Sequence, residues 1–297
     1  MSLTIPNNYQ QKLPGLLHDT KKWTATYFMG SNQDLVNTVS FHAPQNNYKG
    51  NIILIPGIGT NTNIDPLMLA ISYWALTHKY NLFCINTFIN KFKMIISEQN
   101  QPEQNWSDYT DSLHIALEHI SYTTKGYTCI IGHSAGATGL VSTLNQMNKN
   151  NQQINFSSVI LFAPFVNKSW YETLKQFSQK NHKSENLIFL ANIFNQQTPH
   201  MHIPITYNFL DALCDQPFEP EIMSNWGIPT TIIAGEKDKK ATPKDLYEKY
   251  KILQTYPNGD KFNYIEIPDT KHNFLNIPNN KEIILQILHN QIKQHKK

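Results

Sequence analysis

The chain of 297 residues contains no arginine, so all 25 of its basic residues are lysines. Arginine supplies the planar fork that reads phosphates and guanines. Its absence, with a net charge of only +3, argues against a nucleic-acid partner. Cysteine is scarce too. Of the three, Cys84 and Cys129 lie inside apolar runs and are read as small buried hydrophobes. An odd number without paired spacing excludes a disulfide scaffold and fits a reducing, cytoplasmic compartment. The first residues, MSLTIPNNYQQKLPG, have neither the basic nor the apolar region of a signal peptide. No run approaches the roughly 18 apolar residues of a membrane span. Glycine occurs only 12 times and never three in a row, whereas asparagine occurs 33 times. With lysine in place of arginine, that excess reads as codon bias rather than low complexity. A mean hydropathy of −0.43 fits a soluble globular protein.

What is present is an alternation of apolar strands and amphipathic helices. β-rich stretches at 23–29 and 35–41 precede a strong strand, Asn51–Ile55, stopped by Pro56-Gly57. Asp65 then reads as a helix N-cap with Pro66 at the first helical position. Strands are predicted at 81–86, 127–131, 158–162, 230–234 and 262–267. Helices are predicted around 109–120, 135–147, 242–256 and 281–295. Near-continuous apolar strands separated by helices predict an α/β fold, a mostly parallel central sheet with helices on both faces. The rhythm breaks at Pro164 and resumes at Ile228. The 63 residues between contain ten aromatics and no strong strand, and read as an inserted helical cap. The expected division is a core of 1–164 and 228–297 with a cap of 165–227.

Gly132-His133-Ser134-Ala135-Gly136 lies directly between a strand and a helix. A serine on such a sharp turn has its hydroxyl lifted above the sheet, beside a helix N-terminus that favours negative charge. Ser134 is therefore the candidate nucleophile. Its base and orienting acid are expected on loops after later strands. Two such loops follow in order, Gly235-Glu236-Lys237-Asp238 and Pro268-Asp269-Thr270-Lys271-His272. The acid has rivals in Glu236, Asp269, Asp245, Asp211 and Asp215. Of these, Asp245 reads as part of a cap begun by Thr242, and Glu236 as pointing away.

These three loops together resemble the α/β-hydrolase superfamily, over roughly residue 51 to the C-terminus apart from the cap. The resemblance implies Ser134 as nucleophile, His272 as general acid and base, and Asp238 as the orienting acid. It also implies an oxyanion hole built from the Ala135 amide and the loop after NIILI, with Ile58 the preferred second donor and Gly57 the alternative. The family's usual His-Gly in that loop is Pro56-Gly57 here. Without a Gly-Gly-Gly stretch, the hormone-sensitive-lipase-like branch is disfavoured. Trp170, Tyr171, Phe189, Phe194 and Tyr207, with Phe177 and Phe209, are candidates to line an acyl pocket under the cap. The activity the resemblance implies is that of a serine hydrolase, esterase- or lysophospholipase-like, cleaving a small-molecule ester or thioester of a largely apolar acyl group through an acyl-enzyme. An acyltransferase, a thioesterase and a non-catalytic ligand-binding protein on the same fold are the alternatives. His200-Met201-His202 lacks a nearby acidic or thiol ligand, so no metal and no cofactor is expected. The residues carry no signal of oligomeric state.

Overall fold

The computed structural model describes residues 2–3, 23–29, 35–41, 47–58, 65–86, 105–152, 154–166, 187–189, 204–206, 209, 211–213, 218–275 and 279–295. Among them a nine-stranded sheet forms the centre. Its parallel part contains β4 (Asn51–Ile55), β5 (Asn81–Asn86), β6 (Thr128–His133), β7 (Ser158–Phe162), β10 (Thr230–Gly235) and β11 (Phe262–Ile267), in the spatial order β5-β4-β6-β7-β10-β11. Three antiparallel strands, β1 (Ser2–Leu3), β2 (Trp23–Met29) and β3 (Leu35–Phe41), extend it beyond β5. The two-residue β1 was not anticipated, because so short a segment has no periodicity to detect.

All residues of β4, β6, β7 and β10 are buried, as strands covered on both faces must be. Helices supply the cover. α1 (Pro66–Thr77) packs against α6 (Asn280–His295), while α2 (Trp106–Thr123), α3 (Ala135–Lys149), α4 (Pro220–Ser224) and α5 (Pro243–Leu253) contact one another in succession. Asp65 caps α1, its Oδ1 accepting from Leu67 N at 2.9 Å and Met68 N at 3.3 Å, with Pro66 following as expected. Thr242 caps α5 and engages Asp245, which explains that carboxylate structurally. The predicted strand edges hold to within two residues. α5 ends at Leu253, three residues before the expected end, where the chain leaves the helix toward the left-handed Asn258.

The segment expected as a cap, 165–227, differs in one respect from expectation. It contains a short antiparallel pair, β8 (Leu187–Phe189) with β9 (Pro204–Thr206). Three-residue strands are below what alternation can register in a sequence. Phe209 was a candidate pocket residue, yet it is buried in the core against Trp106 and Tyr109 of α2. The expected cap residues Trp170, Tyr171, Phe177, Phe194 and Tyr207 lie outside the described residues, as does the side chain of Phe189.

The strand order places the site. From β4 the chain moves to β5 on one side, then returns to β6 on the other. Loops leaving the carboxyl ends of β4 and β6 therefore diverge, opening a crevice at the topological switch point. Ile55 pairs with Gly132, so Pro56-Gly57 emerges beside His133-Ser134. Gly235 pairs with Ile267, bringing the loops after β10 and β11 together at the same edge.

Candidate active site

Ser134 is the turn between β6 and α3, with φ 56° and ψ −125°. This region of backbone space is nearly closed to residues carrying a Cβ, and strain of about 1–3 kcal/mol persists only where the surroundings enforce it. Here they do. Ser134 N donates to Phe162 O on β7 at 2.8 Å, and Ser134 O accepts from Thr138 N at 3.0 Å. Tight approaches on either side require glycine. A Cβ on Gly132 would lie 2.7 Å from Ala137 Cα, and one on Gly136 2.4 Å from the carbonyl oxygens of both Ile55 and Pro56.

Three distant side chains converge at this turn. His272 Nε2 lies 2.9 Å from Ser134 Oγ, and His272 Nδ1 lies 2.7 Å from Asp238 Oδ2. All three residues are buried. Asp238 Oδ1 accepts from Lys240 N at 2.8 Å and Ala241 N at 3.1 Å, which orients its other oxygen toward the imidazole. With the carboxylate able only to accept, Nδ1 carries the proton and Nε2 offers its lone pair to the serine hydroxyl. Burial holds the His272 pKa below the usual histidine value; Asp238 opposes this, while His133 and Lys240 reinforce it. Burial likewise pushes the Lys240 ammonium down to about 8, against the pull of Asp238. The arrangement presents a neutral base to a hydroxyl, which is what deprotonation of serine requires.

Glu236 and Asp269, like Asp245, are engaged elsewhere. Glu236 Oε2 accepts from Asp269 N at 2.6 Å, and Asp269 pairs with Lys237 in solvent. Asp215 lies outside the described residues. On the opposite side of Ser134, Gly57 sits so close that a Cβ there would be 3.1 Å from Ser134 Cβ. Gly57 thus flanks the hydroxyl from the β4 side. Ala135 opens α3, and the first amide of a helix has no carbonyl one turn earlier to bond. Both expected donor segments are therefore beside Ser134.

Sequence reasoning missed the residues that hold this constellation. His133 Nδ1 lies 3.1 Å from Asp65 Oδ2, and its Nε2 lies 3.1 Å from the carbonyl oxygen of His272. Asp65 was legible only as a helix cap, yet its two oxygens do two jobs. Asn280, at the start of α6, donates to Thr270 Oγ1 at 2.7 Å and Phe274 O at 3.0 Å, clamping the histidine loop. The Phe165 ring lies 5.9 Å from that of His272. Cys84 and Cys129 are buried thiols, and burial raises the Cys129 pKa to about 12. Among the described residues no cluster of three or more metal-ligating side chains occurs. His200 and His202 fall outside them. A cavity of about 560 Å³ between α2 and α3, lined by Trp106, Thr110, Asn145 and Lys149 among others, includes none of the three converging residues.

No protein-family model matches the chain, and no curated protein matches it by sequence. Solved structures do. An esterase of Pyrococcus furiosus is 12% identical with a TM-score of 0.63, covering 96% of each chain. Mouse α/β hydrolase domain-containing protein 10 is 13% identical with a TM-score of 0.60, covering 91% of this chain and 98% of its own. A monoacylglycerol lipase of Paleococcus ferrophilus is 12% identical with a TM-score of 0.59, covering 88% and 99%. No helix among the described residues is long and apolar enough to cross a membrane. At such low identity the likeness speaks for architecture, and the architecture is unambiguous: the chain has the α/β-hydrolase fold.

Proposed function

We propose that this protein is a serine hydrolase that cleaves an ester or thioester of a largely apolar acyl group through an acyl-enzyme. The observation that carries this reading is the unbroken hydrogen-bond chain from Ser134 through His272 to Asp238, with the serine held in strained backbone geometry. Ser134 Oγ attacks the substrate carbonyl carbon while its proton passes to His272 Nε2. Asp238 stabilises the imidazolium that forms. The negative charge on the former carbonyl oxygen is met by the amides of Ala135 and of Ile58, with Gly57 as the alternative donor. Collapse expels the alcohol or thiol, which takes the proton from His272. Water then gives its proton to the same nitrogen, attacks the acyl carbon and releases the acid, and the proton returns to Ser134.

Residues 165–227 serve as the cap over this site, with Phe165 at its entrance against the His272 ring. Trp170, Tyr171, Phe189, Phe194 and Tyr207 remain the proposed acyl contacts. The esterase and lipase among the structural neighbours support ester chemistry in particular. A series of p-nitrophenyl esters of increasing chain length tests the reading. The expected result is a burst of nitrophenol stoichiometric with enzyme, with kcat/KM rising over the shorter chains. No turnover on any ester or thioester would refute it.

A further inference from the structure

His133 occupies the variable position of the G-x-S-x-G motif, and the two hydrogen bonds recorded for its ring are made to other residues. Its Nε2 faces the carbonyl oxygen of His272, which can only accept, so Nε2 carries a proton. Its Nδ1 faces Asp65 Oδ2, while Asp65 Oδ1 accepts two backbone N–H groups, from Leu67 and Met68. A carboxylate so surrounded is ionised, so Nδ1 carries a proton as well. His133 is therefore an imidazolium, buried with its counter-ion beside the site. Burial opposes charge on both partners, yet the His133 pKa is raised, by Asp65 with the His272 carbonyl, and that of Asp65 is lowered, by His133 with the Met68 and Leu67 amides. The other titratable groups close to this ring are His272 and Asp238, on the loops after β11 and β10. Phe274, against its edge, adds no charge.

The topology gives this pair a purpose. Asp65 enters from the β4 side of the crevice, His133 ends β6, and the acceptor belongs to the loop after the edge strand β11. That loop turns through positive φ at Asp269 and Phe274 and carries the base at its middle. We propose that His133 and Asp65 form a second histidine–carboxylate pair that positions the general base, gripping the His272 backbone so that its ring reaches Ser134 and Asp238 together. The proposal rests on the hydrolase reading above. His133 is a positioning residue and touches no reacting atom. Because both of its N–H groups are used, loss of either proton at alkaline pH releases one end of the tether.

Three variants and one spectrum test this. His133→Leu removes both donors and is expected to lower kcat by up to about 100-fold with KM little changed, the signature of a misplaced catalytic group. His133→Gln retains a donor for the His272 carbonyl. It is expected to recover most of that loss and to abolish the alkaline fall in kcat expected of the wild type. Asp65→Asn, which keeps the helix cap, is expected to fall between them. If His133→Leu does not fold, the ring-¹⁵N spectrum of the wild type at pH 7 decides: both His133 nitrogens protonated supports the pair, and one unprotonated nitrogen overturns it. Wild-type kcat and an unaltered pH profile in His133→Leu would also overturn it. A wild type inert toward every ester overturns the hydrolase reading and this proposal together; an active one with indifferent His133 variants overturns only the proposal.

Discussion

Two histidines, 139 residues apart in sequence and 5.4 Å apart between ring centres, each hold a buried carboxylate by Nδ1. Their second nitrogens meet different atoms. His272 faces a hydroxyl, which can give a proton, and its pKa is held below the histidine norm. His133 faces a carbonyl, which cannot, and its pKa is raised. On the proposed reading, the same residue pair yields a base in one place and a fixed cation in the other. One acceptor atom decides which, and it belongs to the first histidine's own backbone.

The comparison is most severely strained by the two carboxylates. Asp238→Asn is expected to lower kcat by about 10⁴-fold, because the amide no longer enforces the reactive tautomer. Asp65→Asn in the same assay is expected to lose no more than about 100-fold. Equal losses would mean the two pairs do not have separate jobs. Stability is expected to separate them next. Asp65→Asn leaves a buried imidazolium facing an amide and is expected to cost about 1–3 kcal/mol in denaturant unfolding.

The pH dependence differs in sign between the two rings. His272 has a folded-state pKa below the usual 6.5, so acid charges the unfolded chain first and stability falls below that pH. His133 has one above 6.5, so its contribution is complete below 6.5 and is lost as pH rises through the folded value. Asp65, lowered from 3.8, contributes above that value and loses its contribution as pH falls through its folded one. The difference in Tm between wild type and His133→Leu is therefore expected to be widest between pH 3.8 and 6.5 and to narrow above. In the kinetics, kcat/KM is expected to show an acid limb whose midpoint lies below 6.5, reporting the depressed free-enzyme His272. A midpoint above 6.5 would contradict the neutral base. The smallest effect is expected from the rejected acids. Glu236→Gln and Asp269→Asn are expected to change kcat by less than about twofold, since both carboxylates are exposed and engaged away from the imidazole.

Much of this was legible in the chain because the physics was local. Strands β4, β5, β7 and β11 match their predicted ranges residue for residue: β4, β5 and β7 are buried almost throughout, while β11, buried only at its two ends, is delimited by the Pro257-Asn258-Gly259 turn before it and Pro268 after it. Ser134 was legible because an elbow needs close-set glycines, and His272 and Asp238 because parallel topology delivers their loops to the same edge. The His133–Asp65 pair was not. Its partners are 68 residues apart, and no pattern distinguishes an aspartate that only caps a helix from one that also binds a histidine. Within 165–227, aromatic residues without regular spacing gave no clue that Phe209 turns into the core while β8 and β9 pair with each other.

The central claim is that a neutral His272, steadied by Asp238, activates Ser134. Fluorophosphonate labelling followed by peptide mapping tests it most directly, because the reagent traps the serine that an adjacent base deprotonates. The account predicts a single stoichiometric adduct on Ser134, with labelling slowed by orders of magnitude in Asp238→Asn. An adduct on another residue, or undiminished ester turnover in Ser134→Ala, would contradict it.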